Sequence, residues 1–245
     1  MTVSDPQQQR RRQVLVLGGT GAVGAALLSE LAKRGCDVVF TFHQQEPRAR
    51  MLESAHGFTA IPLDLARRGA VGALAIELDR EAWAPSVVVH CAGVLETATL
   101  RSALDKEWDR SIAINARSAS EVCRTFGHRM IMREGGDLVF VGGLDRAQSL
   151  PIPPVYAATQ GMLSALCMAA AKELGPLGVR VNMVALGLLD SGLSLALDAK
   201  LREQYRAFSA LRRFGTPNEA ARAIAWLALE NTYVNGKVLP VNGGI

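Results

Sequence analysis

Six short runs of almost unbroken apolar residues recur along the chain: VLVLGG (14–19), DVVFTF (37–42), SVVVHCAG (86–93), DLVFVGG (137–143), RVNMVAL (180–186) and KVLPVNGG (237–244). A strand with one face in water alternates apolar with polar residues. These do not, so they are expected to be buried on both faces, as in a parallel sheet between two helix layers. Ala/Leu-rich stretches of helical character separate them, among them 24–34, 107–132, 155–174 and 217–229. No repeat or low-complexity linker divides the 245 residues. The expected fold is α/β: one Rossmann-type, doubly wound parallel sheet with helices on both faces, spanning 13–245. Residues 1–12 (MTVSDPQQQRRR) read as a flexible basic tail whose arginines are either hydrated or available to an anionic partner.

Composition removes several function classes. Aromatic residues are only 5% of the chain, which argues against a base-stacking platform for nucleic acid. The formal charge of +4 is mild. Cys36, Cys91, Cys123 and Cys167 are far apart, without a C-x-x-C or Cys/His cluster, so free thiols in a reducing cytoplasm are expected and no metal site. No apolar run approaches the 18 residues of a membrane span, and no apolar signal-type stretch precedes the arginines.

The first strand, turn and helix read VLVLGGTGAVGAALLSELAKRG. Gly18, Gly21 and Gly24 recur every third residue around Thr20. Such glycines let the backbone turn sharply and approach a pyrophosphate, whose charge then sits at a helix N-terminus. Tight helix–strand packing alone would also select glycine. The second strand ends in FTFHQQEPRAR, with no acid before Glu46 to take ribose hydroxyls as NAD binding asks. His43, Arg48 and Arg50 can accept a 2′-phosphate, so NADP(H) is preferred over NAD(H); ordinary loop charges are the plainer reading.

On these motifs and the closing segment RFGTPNEAARAIAWLALENTYVNGKVLPVNGGI, the chain resembles the short-chain dehydrogenase/reductase family from about Gln13 to Ile245, most of all its 3-oxoacyl-(acyl-carrier-protein) reductases. The resemblance implies dinucleotide contacts at Gly18, Thr20, Gly21, Val23 and Gly24. It also implies Asp64 and Leu65 (in LDL) by the adenine, and Ala92 and Gly93 in HCAG, where the family usually has NNAG. Leu189 and Ser191 would lie near the nicotinamide carboxamide, and 192–208 would form a substrate lid. In this family Ser, Tyr, Lys and Asn act together on a carbonyl. Tyr156 and Asn115 match two of them. Gly143 stands at the serine's place and Gln160 at the lysine's, where it can still bond a ribose hydroxyl.

Tyr156 and Gln160 lie four apart, on one helical face. A tyrosine has an unperturbed pKa of about 10, and without a neighbouring cation nothing lowers it. Three readings follow. The first is a non-catalytic or weakly catalytic partner subunit in fatty-acid- or polyketide-like biosynthesis. The second is an active NADPH-dependent ketoreductase of acyl or polyketide thioesters. The third is a non-redox cyclase, isomerase or dehydratase using Tyr156, to which His90 could belong; a core histidine is the plainer reading. The resemblance also implies a homo- or hetero-tetramer, formed through 107–132, 155–174 and the C-terminal segment. An active reductase of the family is one candidate partner. An acyl carrier protein met by Arg129, Arg133 and Lys172 is another.

Overall fold

Seven parallel strands, in the order β3-β2-β1-β4-β5-β6-β7, form the sheet of the computed structural model, which describes residues 11–133, 135–143 and 151–245. They are β1 (Gln13–Leu17), β2 (Asp37–Phe42), β3 (Thr59–Pro62), β4 (Val87–His90), β5 (Gly136–Gly143), β6 (Val179–Leu186) and β7 (Val238–Val241). Successive side chains of one strand enter different cores. Leu15, Leu17, Val88, Leu138 and Phe140 face one helix layer, while Val14, Val16, Val87, Val89 and Val139 face the other. That period of two, apolar on both sides, is why the runs read as continuous.

Helices α1 (Ala22–Lys33), α2 (Glu46–His56) and α9 (Pro217–Leu229) cover one face. The other is covered by α3 (Ala70–Arg80), a long helix over 105–131 and α7 (Pro154–Leu174). The long helix contains three α-helical pieces, α4 (Asp105–Ser111), α5 (Ser118–Val122) and α6 (His128–Ile131), joined by π-helical turns at Ile112–Arg117 and Cys123–Gly127. The sequence reading took it as one unbroken helix. It also lacked β3, α2 and α3. The short α8 (Ala199–Phe208) follows a 3₁₀ turn at Gly192–Ala196, on the stretch expected to be a lid.

Three strand boundaries are shorter than expected. Cys91 to Gly93 leave the sheet after β4, Gly18 and Gly19 leave it after β1, and β7 ends at Val241. The first two departures lie beside each other, because chain order reverses between β1 and β4. That reversal opens a crevice at the strands' carboxyl ends, the place where doubly wound sheets bind ligands.

Arg12, read as the end of a solvated tail, is fastened instead. Its guanidinium donates to the Leu229 carbonyl (2.5 Å) and to Asp137 (3.1 Å), a carboxylate 2% exposed that also takes two bonds from Arg180. Residues 1–10 lie outside the described residues. All four cysteines are free. Among the described residues no helix is long and apolar enough to cross a membrane.

Candidate active site

A cavity of about 770 Å³ fills the crevice. Gly18, Thr20, Gly21, Val23, Gly24, His43, Asp64, Leu65, Ala92, Gly93, Asn115, Tyr156, Gln160, Leu189 and Ser191 all line it. Thus every residue named from the sequence as catalytic or dinucleotide-binding, Arg50 excepted, reaches one space. Two other candidates fall elsewhere. Arg50 lies outside the lining, paired with Glu46 and Glu53 and stacked 5.7 Å over Phe42. His90 is a core residue, 1% exposed, whose Nε2 meets the Ser118 hydroxyl at 2.7 Å.

The glycine turn is built for close approach. Gly18 has φ +85°, and a Cβ there would stand 2.8 Å from the Ala92 backbone. A Cβ on Gly24 would run into the Gly18 carbonyl oxygen. Thr41, at the end of β2, braces the turn: its hydroxyl accepts from the Gly18 N–H (3.2 Å) and its carbonyl from the Gly19 N–H (2.8 Å). Helix α1 then starts just after Gly21, with no side-chain cap and no acid in its first turn. Its first N–H groups and the positive end of its dipole face the crevice, a seat for a pyrophosphate. A nicotinamide dinucleotide therefore fits the residues present. His43 and Arg48 line this end, as does Asp64, whose carboxylate accepts from the Ala66 N–H (2.9 Å).

At the far end the lining is apolar: Val94, Leu95, Ile114, Ile152, Leu193 and Leu197, with Tyr205 of α8 only 3% exposed. The stretch expected to be a lid does lie over the crevice. Its position is fixed by a bond no sequence pattern announces, from the Leu189 N–H to the Ser194 hydroxyl (3.0 Å). Arg110, also in this lining, is ion-paired with Glu96 (3.0 Å).

Between the two ends stand the side chains of α7 and the π-helical turn. Asn115 is 2% exposed and fully occupied. Its Oδ1 accepts from the Val94 N–H (2.9 Å), while its Nδ2 donates to the Val94 carbonyl (2.9 Å) and to the Thr159 hydroxyl (3.0 Å). The π turn carries the amide that ties the loop after β4 to α7; Thr159, its partner, is absent from the sequence reading. Gln160 is 5% exposed, and its Oε1 accepts from the Gly143 N–H (3.0 Å). That bond settles the orientation of the carboxamide, so Nε2 is the free end, and it donates to none of the described residues. Burial pushes the Tyr156 phenol up to about 12, and the Gly143 amide, which favours the phenolate, does not offset it. Cys91, also in the lining, is raised to about 12 by burial and is a protonated thiol at neutral pH.

On the outer surface, Arg129 and Arg133 both pair with Asp79 of α3, at 2.8 and 3.6 Å. Of the three cations expected to greet a carrier protein, two are thus held by their own chain.

Residues 19–245 match the family model described as enoyl-(acyl carrier protein) reductase. The acetoacetyl-CoA reductase of Allochromatium vinosum is 29% identical over 241 residues, covering 96% of this chain and 98% of its own. The 3-oxoacyl-[acyl-carrier-protein] reductase FabG of Staphylococcus aureus is 27% identical over 240 residues, covering 96% and 98%. Among solved structures, a short-chain dehydrogenase/reductase from Serratia marcescens superposes with a TM-score of 0.87 at 26% identity, over 95% of this chain and 97% of that one.

Proposed function

The chain belongs to the short-chain dehydrogenase/reductase family, most like its 3-oxoacyl-(acyl-carrier-protein) reductases, and we propose that it is a dinucleotide-binding member, non-catalytic or weakly catalytic in ketoreduction, that acts as a partner subunit in acyl-thioester metabolism. The carrying observation is the junction of β5 and α7. There an uncharged Gln160 is tied to the backbone of Gly143, next to a tyrosine whose phenol burial raises to about 12.

A bound nicotinamide dinucleotide would supply the hydride of a carbonyl reduction. The uncapped start of α1 would hold its pyrophosphate and Asp64 its adenine amine. His43 and Arg48 would take a 2′-phosphate, which favours NADP(H) over NAD(H). Leu189 and Ser191 would border the carboxamide, and Gln160 Nε2 would donate to a ribose hydroxyl. What this site lacks, among the described residues, is a way to move a proton. Tyr156 keeps its proton across the physiological range, with no cation beside it among the described residues to stabilise the phenolate. Position 143 offers no hydroxyl to a developing oxyanion, a loss of about 100- to 1,000-fold in rate by itself. Asn115 has all three of its amide hydrogen-bonding groups engaged within the fold.

Binding is thereby retained where proton transfer is not, which suits a subunit that assembles with, and is stabilised by, an active reductase of the same family. The second reading, an active NADPH-dependent ketoreductase of acyl thioesters, is favoured by the complete crevice and its apolar far end at Ile152, Leu193 and Leu197. Calorimetric titration with NADPH, run with NADPH consumption on an acetoacetyl thioester, separates the two. The first predicts binding with turnover at least about 100-fold below that of an intact reductase.

A further inference from the structure

The lid over 192–208 leaves and re-enters the domain through two stems, 187–191 after β6 and 209–215 before α9. The stems are laced to each other. The Gly215 N–H donates to the Leu188 carbonyl and the Asp190 N–H to the Gly215 carbonyl, both at 3.0 Å, so Leu189 and Gly215 pair as in a parallel ladder. A buried serine then fastens each end. At the entry, the Ser194 hydroxyl accepts from the Leu189 N–H (3.0 Å). At the exit, the Ser209 hydroxyl donates to the Gly243 carbonyl (2.9 Å), which also takes the Leu211 N–H (3.1 Å). The segment after β7 that holds the exit stem touches the entry stem as well: a Cβ on Gly187 would stand 2.7 Å from the Asn242 Cα. Gly192, whose φ of +71° would suit a hinge, lies inside the loop that the Leu189–Ser194 bond closes. The facing wall is held too, since Asn115 engages both the N–H and the carbonyl of Val94. Leu193 and Leu197 of the lid and Val94 and Leu95 of that wall border the same apolar end of the crevice.

We propose that this lid is a preformed wall rather than a gate, so that the apolar end of the crevice takes an acyl chain whether or not a dinucleotide is bound. A gate that must close over its ligand loses affinity in proportion to the fraction of molecules in which it stands open, and a first ligand that closes it helps the second. A wall built into the fold carries no such dependence. Ser194 and Ser209 are positioning residues in this account, acting through the backbone they hold.

The inference rests on the dinucleotide-binding reading for one probe only, NADP⁺, chosen because it cannot reduce the other, the 3-oxooctanoyl thioester of N-acetylcysteamine. Amide hydrogen exchange across α8 reads the lid directly. In the parent chain, saturating NADP⁺ should slow that exchange by less than about tenfold; a larger gain in protection would mean a lid that closes on the dinucleotide, and overturns the proposal. Ser194→Ala and Ser209→Ala should each speed exchange over 192–208 by roughly fivefold, the worth of one hydrogen bond. Ser164→Ala, which removes a bond made within α7, should leave the lid unmoved. Serine variants of the lid that exchange no faster than Ser164→Ala also overturn it. By calorimetry, the thioester should bind the parent chain with affinities agreeing within about threefold with and without NADP⁺, and the Ser194→Ala/Ser209→Ala double variant about tenfold more weakly when NADP⁺ is absent. Thioester binding that requires NADP⁺, or none in either state, contradicts the proposal. Should neither serine variant fold, the parent chain's exchange and thioester affinities still decide. Should the parent chain fail to bind NADP⁺, the dinucleotide reading fails by itself, while the serine variants and the thioester decide the wall.

Discussion

Gln160 differs from a lysine by a charge, and at this position that difference decides which chemistry is open to Tyr156. A phenol works as a proton donor when its anion is tolerated. Here burial opposes the anion, and among the described residues only a backbone N–H favours it. The residues that mark this state are legible in the chain itself, since Tyr156, Gln160, Gly143 and Asn115 stand at fixed spacings from one another. Their engagement is not. That Gln160 is held by Gly143, that Thr41 braces the glycine turn and that Thr159 completes the Asn115 clamp are tertiary facts, made by residues far apart in sequence. The glycine turn gives a sharp check at this scale. Gly24→Ala puts a methyl group into the Gly18 carbonyl, inside a turn already fixed by Thr41. It should cost about 1–3 kcal/mol in denaturant-derived stability, as overpacking does. Calorimetry should show it to abolish NADPH binding, because Gly18 must move to relieve the clash.

Among the elements, the strands buried on both faces announce themselves and the peripheral ones do not. β3 is four residues, TAIP, at the sheet edge with two positions exposed, too short and too open to carry a burial pattern. α2 buries only Ala49 and Leu52. α3 does carry the spacing of a buried helix face in Val71, Leu74, Ala75 and Leu78, and a closer count of that period would have found it. The π turn at Ile112–Arg117 has no sequence signature, yet it holds the Asn115 clamp that joins the loop after β4 to α7. Asn115→Ala would leave the half-buried N–H and carbonyl of Val94 without their side-chain partner. A loss of about 1–3 kcal/mol is expected by denaturant unfolding, larger than the loss of about 1 kcal/mol for Thr159→Val, which removes only one arm. Equal losses for the two would show that the loop does not depend on the amide. At the start of α9, Thr216 and Glu219 form a reciprocal cap, so Thr216→Ala should cost about 1 kcal/mol by the same measurement.

For the whole molecule, one core residue sets an acid limit. His90 lies in the sheet, its Nε2 on Ser118 and its Nδ1 buried without a partner, and burial lowers its pKa from 6.5 to about 4. Between those values the unfolded chain takes up a proton that the folded chain refuses. Stability is therefore full above pH 6.5, declines as pH falls below it, and goes on declining to about pH 4, by on the order of 3 kcal/mol. Denaturation midpoints across that window should show the slope in the parent chain and a shallower one in His90→Asn. The larger claim is that a complete crevice has been kept around a proton relay that has been dismantled. Turnover of an acetoacetyl thioester with NADPH, compared between the parent chain and the Gly143→Ser/Gln160→Lys double variant, tests it most directly. The account predicts NADPH binding in both, with little turnover in the parent and a gain of at least about tenfold in the double variant. Robust turnover by the parent chain would contradict it, and would require a proton donor other than Tyr156 in its present seat.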